Sequence, residues 1–203
     1  MIPANPPDAA RERYVRNITA VWRSATADQE QRGRAWYRTA HELADMMTGG
    51  NPQAGAGVIA ALSANKSWSE NIRLARQACE SGLSGGHFTD ALTKAAKILA
   101  GADPTEVLPM TRKTGHFYRC IANPSDPDAV VIDRHAHDIA VGETYGNRDR
   151  GLSNPRRYTA LAHCYREAAL RLGELPSTVQ AVTWVVHTER LAGTGTRRPR
   201  TGP

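Results

Sequence analysis

The chain has 203 residues, 40% of them hydrophobic, and 26 Lys and Arg against 20 Asp and Glu, a formal charge of +6. That length supports one well-buried domain, and the basic balance suits a polyanionic partner without requiring one. No apolar run reaches the length of a membrane span, the N-terminus lacks a charged-then-apolar leader, and Cys79, Cys120 and Cys164 are too scattered for a zinc or iron–sulfur site; a soluble, cytoplasmic protein with buried thiols is expected.

Residues 1–7 are proline-rich and expected to be disordered, with Asp8 able to cap the first helix. Tyr14, Ile18, Val21, Trp22 and Ala25 recur at three- and four-residue steps and predict that helix. A second is predicted over 28–47, with Trp36, Ala40, Leu43 and Met47 on one face and Gly49-Gly50-Asn51-Pro52 as its stop. The stretch AGAGVIAALSANKSW, residues 54–68, reads as the central core helix. Ser63-Ala64-Asn65 interrupts it, which places Asn65 on an exposed turn or helix end.

Trp68, Ile72, Ala75 and Cys79 mark the next helix, ending in SGLSGG, and Phe88, Leu92, Ala95, Ala96 and Leu99 another, closed by Gly101. A short turn from Pro109 precedes Lys113, and a helix through Phe117, Tyr118 and Ile121 ends near Asn123-Pro124. The run Val130-Val131-Ile132 is too short for an independent sheet and leads to Asp133, which has the type and position of an N-cap. Residues 142–156 read as loop. Helices are predicted through Tyr158–Leu172 and Ser177–Leu191, and residues 193–203, with Arg197, Arg198 and Arg200, as a flexible basic tail. The prediction is a single all-α domain of eight or nine helices over residues 8–192, with no strand pair and no internal repeat.

Two opposite charges stand at predicted helix starts, Lys113 and Asp133. A helix start favours a carboxylate and disfavours an ammonium, so the pair suits covalent chemistry at an electrophilic carbon, with the amine attacking and the carboxylate stabilising positive charge. On spacing alone, a solvated lysine and a capping aspartate account for the same residues. His135 and His137 in DRHAHD point to nearly opposite sides of a helix and cannot chelate one ion, so no metal site is expected. Asn65, Lys66 and Trp68 come after the core helix. Trp68 lies on the inward stripe, whereas Asn65 serves equally as a cap or as a residue that probes a base.

Taken together, the residues resemble the helix-hairpin-helix DNA glycosylase superfamily, in particular its endonuclease III branch. Leu62-Ser63-Ala64-Asn65 stands where that family carries Leu-Ser-Ala-Gln, and Leu108-Pro109-Met110-Thr111-Arg112-Lys113-Thr114-Gly115 where it carries Leu-Pro-Gly-Val-Gly-Arg-Lys-Thr-Ala. Ile132-Asp133-Arg134-His135 stands where it carries Val-Asp-Thr-His. The match covers residues 55–140. It departs from the family in a hairpin one residue shorter and without its two glycines, and in the missing iron–sulfur cysteines.

The resemblance implies a helix-hairpin-helix glycosylase-like fold acting as a monomer on DNA without a cofactor. Lys113 matches the nucleophile of bifunctional members, and Asp133 the aspartate that stabilises a cationic sugar as the base leaves C1′. Asn65 matches the residue that fills the gap left by a flipped base, Arg112 and Thr114 lie at the DNA backbone, and Lys66 and His135 join the nucleic-acid contacts. Two further classes share these residues: a transferase that joins an amine or amino acid to an activated 5-hydroxymethyl pyrimidine in bacteriophage DNA, and a DNA-binding module without catalysis.

Overall fold

Capping side chains and glycines punctuate the chain at short intervals, and the computed structural model, which describes residues 1–82 and 88–195 with side chains through 193, is accordingly all-α. The described helices are α1 (Asp8–Arg23), α2 (Ala27–Met47), α3 (Pro52–Ala61), α4 (Trp68–Ser81), α5 (Thr89–Leu99), α6 (Pro104–Val107), α7 (Lys113–Ala122), α8 (Arg134–Val141), α9 (Pro155–Leu172) and α10 (Pro176–Gly195). Asn51, Ser67, Asp103, Asp133 and Asn154 each accept a backbone N–H at a helix start. Gly82, Gly142 and Gly173 end α4, α8 and α9 in the left-handed conformation that glycine adopts without steric cost.

Three details differ from expectation. Pro7, not Asp8, occupies the N-cap of α1, and Asp8 is the first helical residue, where its charge meets the positive end of the helix instead of bonding to it. The four-residue α6 is unannounced by periodicity and takes its start from the Asp103-Pro104 pair. Residues 1–7 are held: Ile2 is buried, and Arg157 Nε donates to its carbonyl at 2.8 Å. Residues 83–87 and 196–203, the latter most of the stretch expected to be a flexible basic tail, lie outside the described residues.

The chain falls into two compact units, one formed by residues 1–35 with 132 onward and the other by residues 36–131. Helix α2 contributes residues 27–35 to the first and 36–47 to the second.

In the first unit α1, α8, α9 and α10 pack on one another around Ile18, Leu161, Tyr165 and Val182, all fully buried. Gly33 lies against α10 so closely that a Cβ there would sit 2.4 Å from Val182 Cγ2. Asn17 Nδ2 donates at 2.9 Å to the carbonyl of Ala140 and so ties α1 to the last turn of α8.

In the second unit α3 is the central element, and its neighbours are α4, α5, α6 and α7. Every residue from Gly55 to Ala61 is buried, so the small side chains set how closely the surrounding helices approach. A Cβ on Gly55 would meet the carbonyl oxygen of Ala44 at 2.1 Å, and one on Gly57 would meet Pro104 at 2.9 Å. Gln53 joins the first turn of α3 to α7, accepting from the Tyr118 hydroxyl at 2.9 Å and donating to Ala122 O at 3.2 Å.

Candidate functional site

The start of α8 is built from both sides. Val130 and Ile132 are almost wholly inaccessible, and the backbone N–H of Ile132 donates at 3.0 Å to the hydroxyl of Tyr158 on α9. The next residue, Asp133, is thereby fixed in position. Its Oδ1 accepts the N–H groups of His135 at 3.0 Å and Ala136 at 2.8 Å. The helix is held from its other side by Tyr165, whose hydroxyl donates to Ala136 O at 3.2 Å. Asp133 Oδ2 has no hydrogen-bond partner among the described residues, and the side chain is half-buried. One carboxylate oxygen therefore serves the cap while the other has no partner among the described residues.

His135 belongs to the same end of α8. Its Nε2 accepts from Arg134 Nε at 3.0 Å, and its ring meets His187 and Trp184 of α10 edge-on, with centroids 5.5 and 6.1 Å apart. Burial lowers the pKa of His135, outweighing the attraction of Asp133, and burial likewise lowers that of His187. His187 Nε2 is buried without a hydrogen-bond partner. These imidazoles are consequently biased toward the neutral form beside a carboxylate.

His137 faces the opposite way, as the helical spacing requires, and is completely buried. Its Nδ1 lies 2.9 Å from Asp138 Oδ1. Asp138 is also held by Arg150 in a bidentate pair, Nε to Oδ1 at 2.8 Å and Nη2 to Oδ2 at 2.7 Å, and by the N–H of Tyr145 at 3.1 Å. Burial alone would raise the Asp138 pKa, but the hydrogen bonds from Arg150 and His137 prevail and hold it below the usual carboxylate range. The Tyr145 ring stands edge-on to His137, 4.6 Å between centroids, with Arg148 over it at 4.2 Å. Sequence reasoning misses this cluster. Its one local signal is an Asp set directly before the apolar Ile139-Ala140-Val141.

In the second unit Arg112, Lys113 and Thr114 are consecutive at the start of α7. Arg112 N donates to Pro109 O at 2.9 Å and closes a tight turn, and none of its residues has a positive φ. Gly115 lies close against this turn, and a Cβ there would be 2.3 Å from Met110 Cα. Helix α7 has no side-chain cap, and the N–H groups of Lys113, Thr114 and Gly115 make no hydrogen bond among the described residues. Lys113 is exposed and makes no ion pair among the described residues. Thr114 is half-buried and Gly115 buried.

The loop after α3 carries the other expected contacts. Asn65 is exposed with φ of 58°, a left-handed conformation that costs a side-chain-bearing residue some energy and that Asn tolerates better than most. Lys66 pairs with Glu70 Oε1 at 2.7 Å. Ser67 caps α4, so Asn65 is not the cap. Trp68 packs on Trp36 with centroids 5.1 Å apart. The expected residues thus form three local groups: Asn65 with Lys66, and Arg112 with Lys113 and Thr114, in the second unit, and Asp133 with His135 in the first.

Among the described residues no three of His, Cys, Asp and Glu converge as a metal site, and no helix is long and apolar enough to cross a membrane. No curated protein matches the chain, and no solved structure does. A family model matches residues 1–191, and the chain belongs to that family, the Family of unknown function (DUF7178).

Proposed function

We propose that this chain is a DNA base-acting enzyme of the helix-hairpin-helix glycosylase type, which cleaves the N-glycosidic bond of a flipped base. The observation that carries the reading is the divided role of Asp133: Oδ1 is locked by the backbone N–H groups of His135 and Ala136, and Oδ2 is left without a partner among the described residues. A carboxylate so oriented stabilises positive charge on a deoxyribose without first having to reorganise, which is where electrostatic catalysis is most effective. Base flipping brings C1′ within reach of such a group.

The uncapped start of α7, with Arg112, Lys113 and Thr114, supports DNA-backbone contact. Asn65, exposed and left-handed at a loop tip, suits the space a flipped base vacates. Lys113 is the nucleophile of an accompanying lyase step. In such a step a deprotonated amine bonds to C1′ as the base leaves, and the ring oxygen then leaves C1′, taking a proton, to give the protonated Schiff base of the opened sugar. The test is mass analysis of DNA carrying damaged or 5-hydroxymethylated pyrimidines after incubation with the protein. Release of a free base supports the proposal. A heavier base in intact DNA makes the chain a transferase instead, and unchanged DNA makes it a binding module. Borohydride trapping that disappears in Lys113→Ala assigns the lyase step; trapping unaffected by that change removes Lys113 from it.

A further inference from the structure

Helix α4 presents to solvent a face that neither the start of α7 nor the start of α8 uses. With Leu43 of α2 it borders a groove of about 560 Å³ in the second unit, lined by Trp68, Ile72, Arg73, Arg76 and Glu80 among others. Trp68, Ile72, Arg76 and Glu80 recur every four residues, and Arg73 lies beside them, so the groove runs along one stripe down α4. At about 1.5 Å per residue this stripe is about 18 Å long. It begins three residues after Asn65, the exposed loop tip.

Chemistry along the stripe is ordered. At its start Leu43, Trp68 and Ile72 give a half-exposed aromatic and aliphatic floor. In its middle Arg73 and Arg76 are both exposed, and neither makes an ion pair among the described residues; Arg73 has only a 3.4 Å contact to Gln77 Oε1. Arg119, in the same unit, is by contrast paired with Asp126, as Arg34 of the first unit is with Glu174. Arginines left open beside an aromatic floor match a ligand with flat rings and spaced anions. At the far end Glu80, which has no ion pair of its own among the described residues, opposes a further anion.

We infer that this α4 groove binds an unpaired DNA strand, with a base on the Trp68 floor and successive phosphates on Arg73 and Arg76. Side chains three residues apart on a helix are separated by about 5–6 Å at Cβ, within reach of adjacent phosphates for two long arginines. A duplex is too wide for a groove of this volume, whereas stacking of bases on an aromatic within a basic channel is the usual way a single strand is held. The inference rests on the DNA-acting function proposed above and adds to it a single-strand contact beside the Asn65 tip of the same unit.

The probe is a fluorescein-labelled oligothymidylate of about 12 nucleotides, long enough to cover one such site, with anisotropy measured on the full chain at increasing salt. It contains no target base, so the result is independent of chemistry at Asp133; failure of the glycosylase reading appears in DNA product masses instead. Wild type is expected to bind, and Arg73→Gln/Arg76→Gln to reduce the slope of log affinity against log salt by about 1.4, the value for two single-strand phosphate contacts, which amounts to an approximately 7-fold smaller loss of affinity between 50 and 200 mM salt. Both arginines are exposed, so the pair of changes leaves the core intact, and circular dichroism verifies this. Glu80→Gln is expected to tighten binding. An unchanged slope in the double variant, no binding by wild type, or equal displacement by a polyglutamate peptide and by unlabelled oligothymidylate would each overturn the inference, the last by making the groove an acidic-peptide site.

Discussion

Gly115→Ala separates two opposed effects at the turn before α7. In an ordinary helix interior this change stabilises by up to about 1 kcal/mol, because alanine loses less backbone freedom on folding. Here the new Cβ would stand 2.3 Å from Met110 Cα and 2.8 Å from Met110 C and O. Carbon atoms rest about 3.5 Å apart at closest, so the turn must retreat by roughly 1.2 Å, the difference between the two distances. All three opposing atoms are backbone, which cannot swing aside. Overpacking of this kind costs about 1–3 kcal/mol, and the net effect expected is a loss of about 1–2 kcal/mol, read as a lower urea midpoint at constant m-value. Because Arg112 and Thr114 ride on the same turn, affinity for a DNA duplex should fall as well. A Gly115→Ala protein as stable as wild type, or more so, would refute the reading that the Met110 backbone leaves no room for a side chain at Gly115.

The remaining predictions concern buried charge and capping. Arg150→Met leaves Asp138 buried without its bidentate partner and should cost about 3–5 kcal/mol, whereas Arg150→Met/Asp138→Leu should recover only part of that loss, since the buried charge is gone but His137 Nδ1 and the Tyr145 N–H lose their acceptor; urea titration of the two variants checks this. In wild type the Asp138 pKa is lowered on folding, so its contribution is present above the unfolded value of about 3.9 and is lost as pH falls through the lower folded value. Arg150→Met removes the main lowering influence and leaves burial, so acid unfolding should begin at higher pH. His135, His137 and His187 all have lowered pKa values through burial; stability should therefore decline as pH falls below about 6.5, with net proton uptake on unfolding. Asp133→Ala should cost about 0.5–2 kcal/mol as a lost cap, and Asp133→Asn much less, because Asn caps as well as Asp; thermal unfolding of both distinguishes them.

Much of this architecture is legible in local pattern. The stripe of α1, with Tyr14 and Ile18, and that of α9, with Leu161 and Tyr165, repeat over several turns, and all four residues are buried. Asp133 is legible as a cap because an apolar run ends directly before it. Which of its oxygens the backbone takes, and so which one has no partner among the described residues, is not legible. Asp138 and Arg150 are separated by a loop with no periodicity, so nothing in the sequence links one carboxylate to one of several nearby arginines. Ile2 is buried, and its carbonyl is held by Arg157, 155 residues away; proline content alone points the other way. In the turn before α7 only the backbone shows that positive φ is avoided and that Gly115 carries the close contact.

The measurement closest to the central claim compares wild type with Asp133→Asn on one set of modified-base DNA substrates, with products resolved by mass. The substitution keeps the cap and removes the charge. The expected result is a folded variant of nearly unchanged stability that no longer releases a base which wild type releases. Equal base release by both proteins would contradict the catalytic role of Asp133.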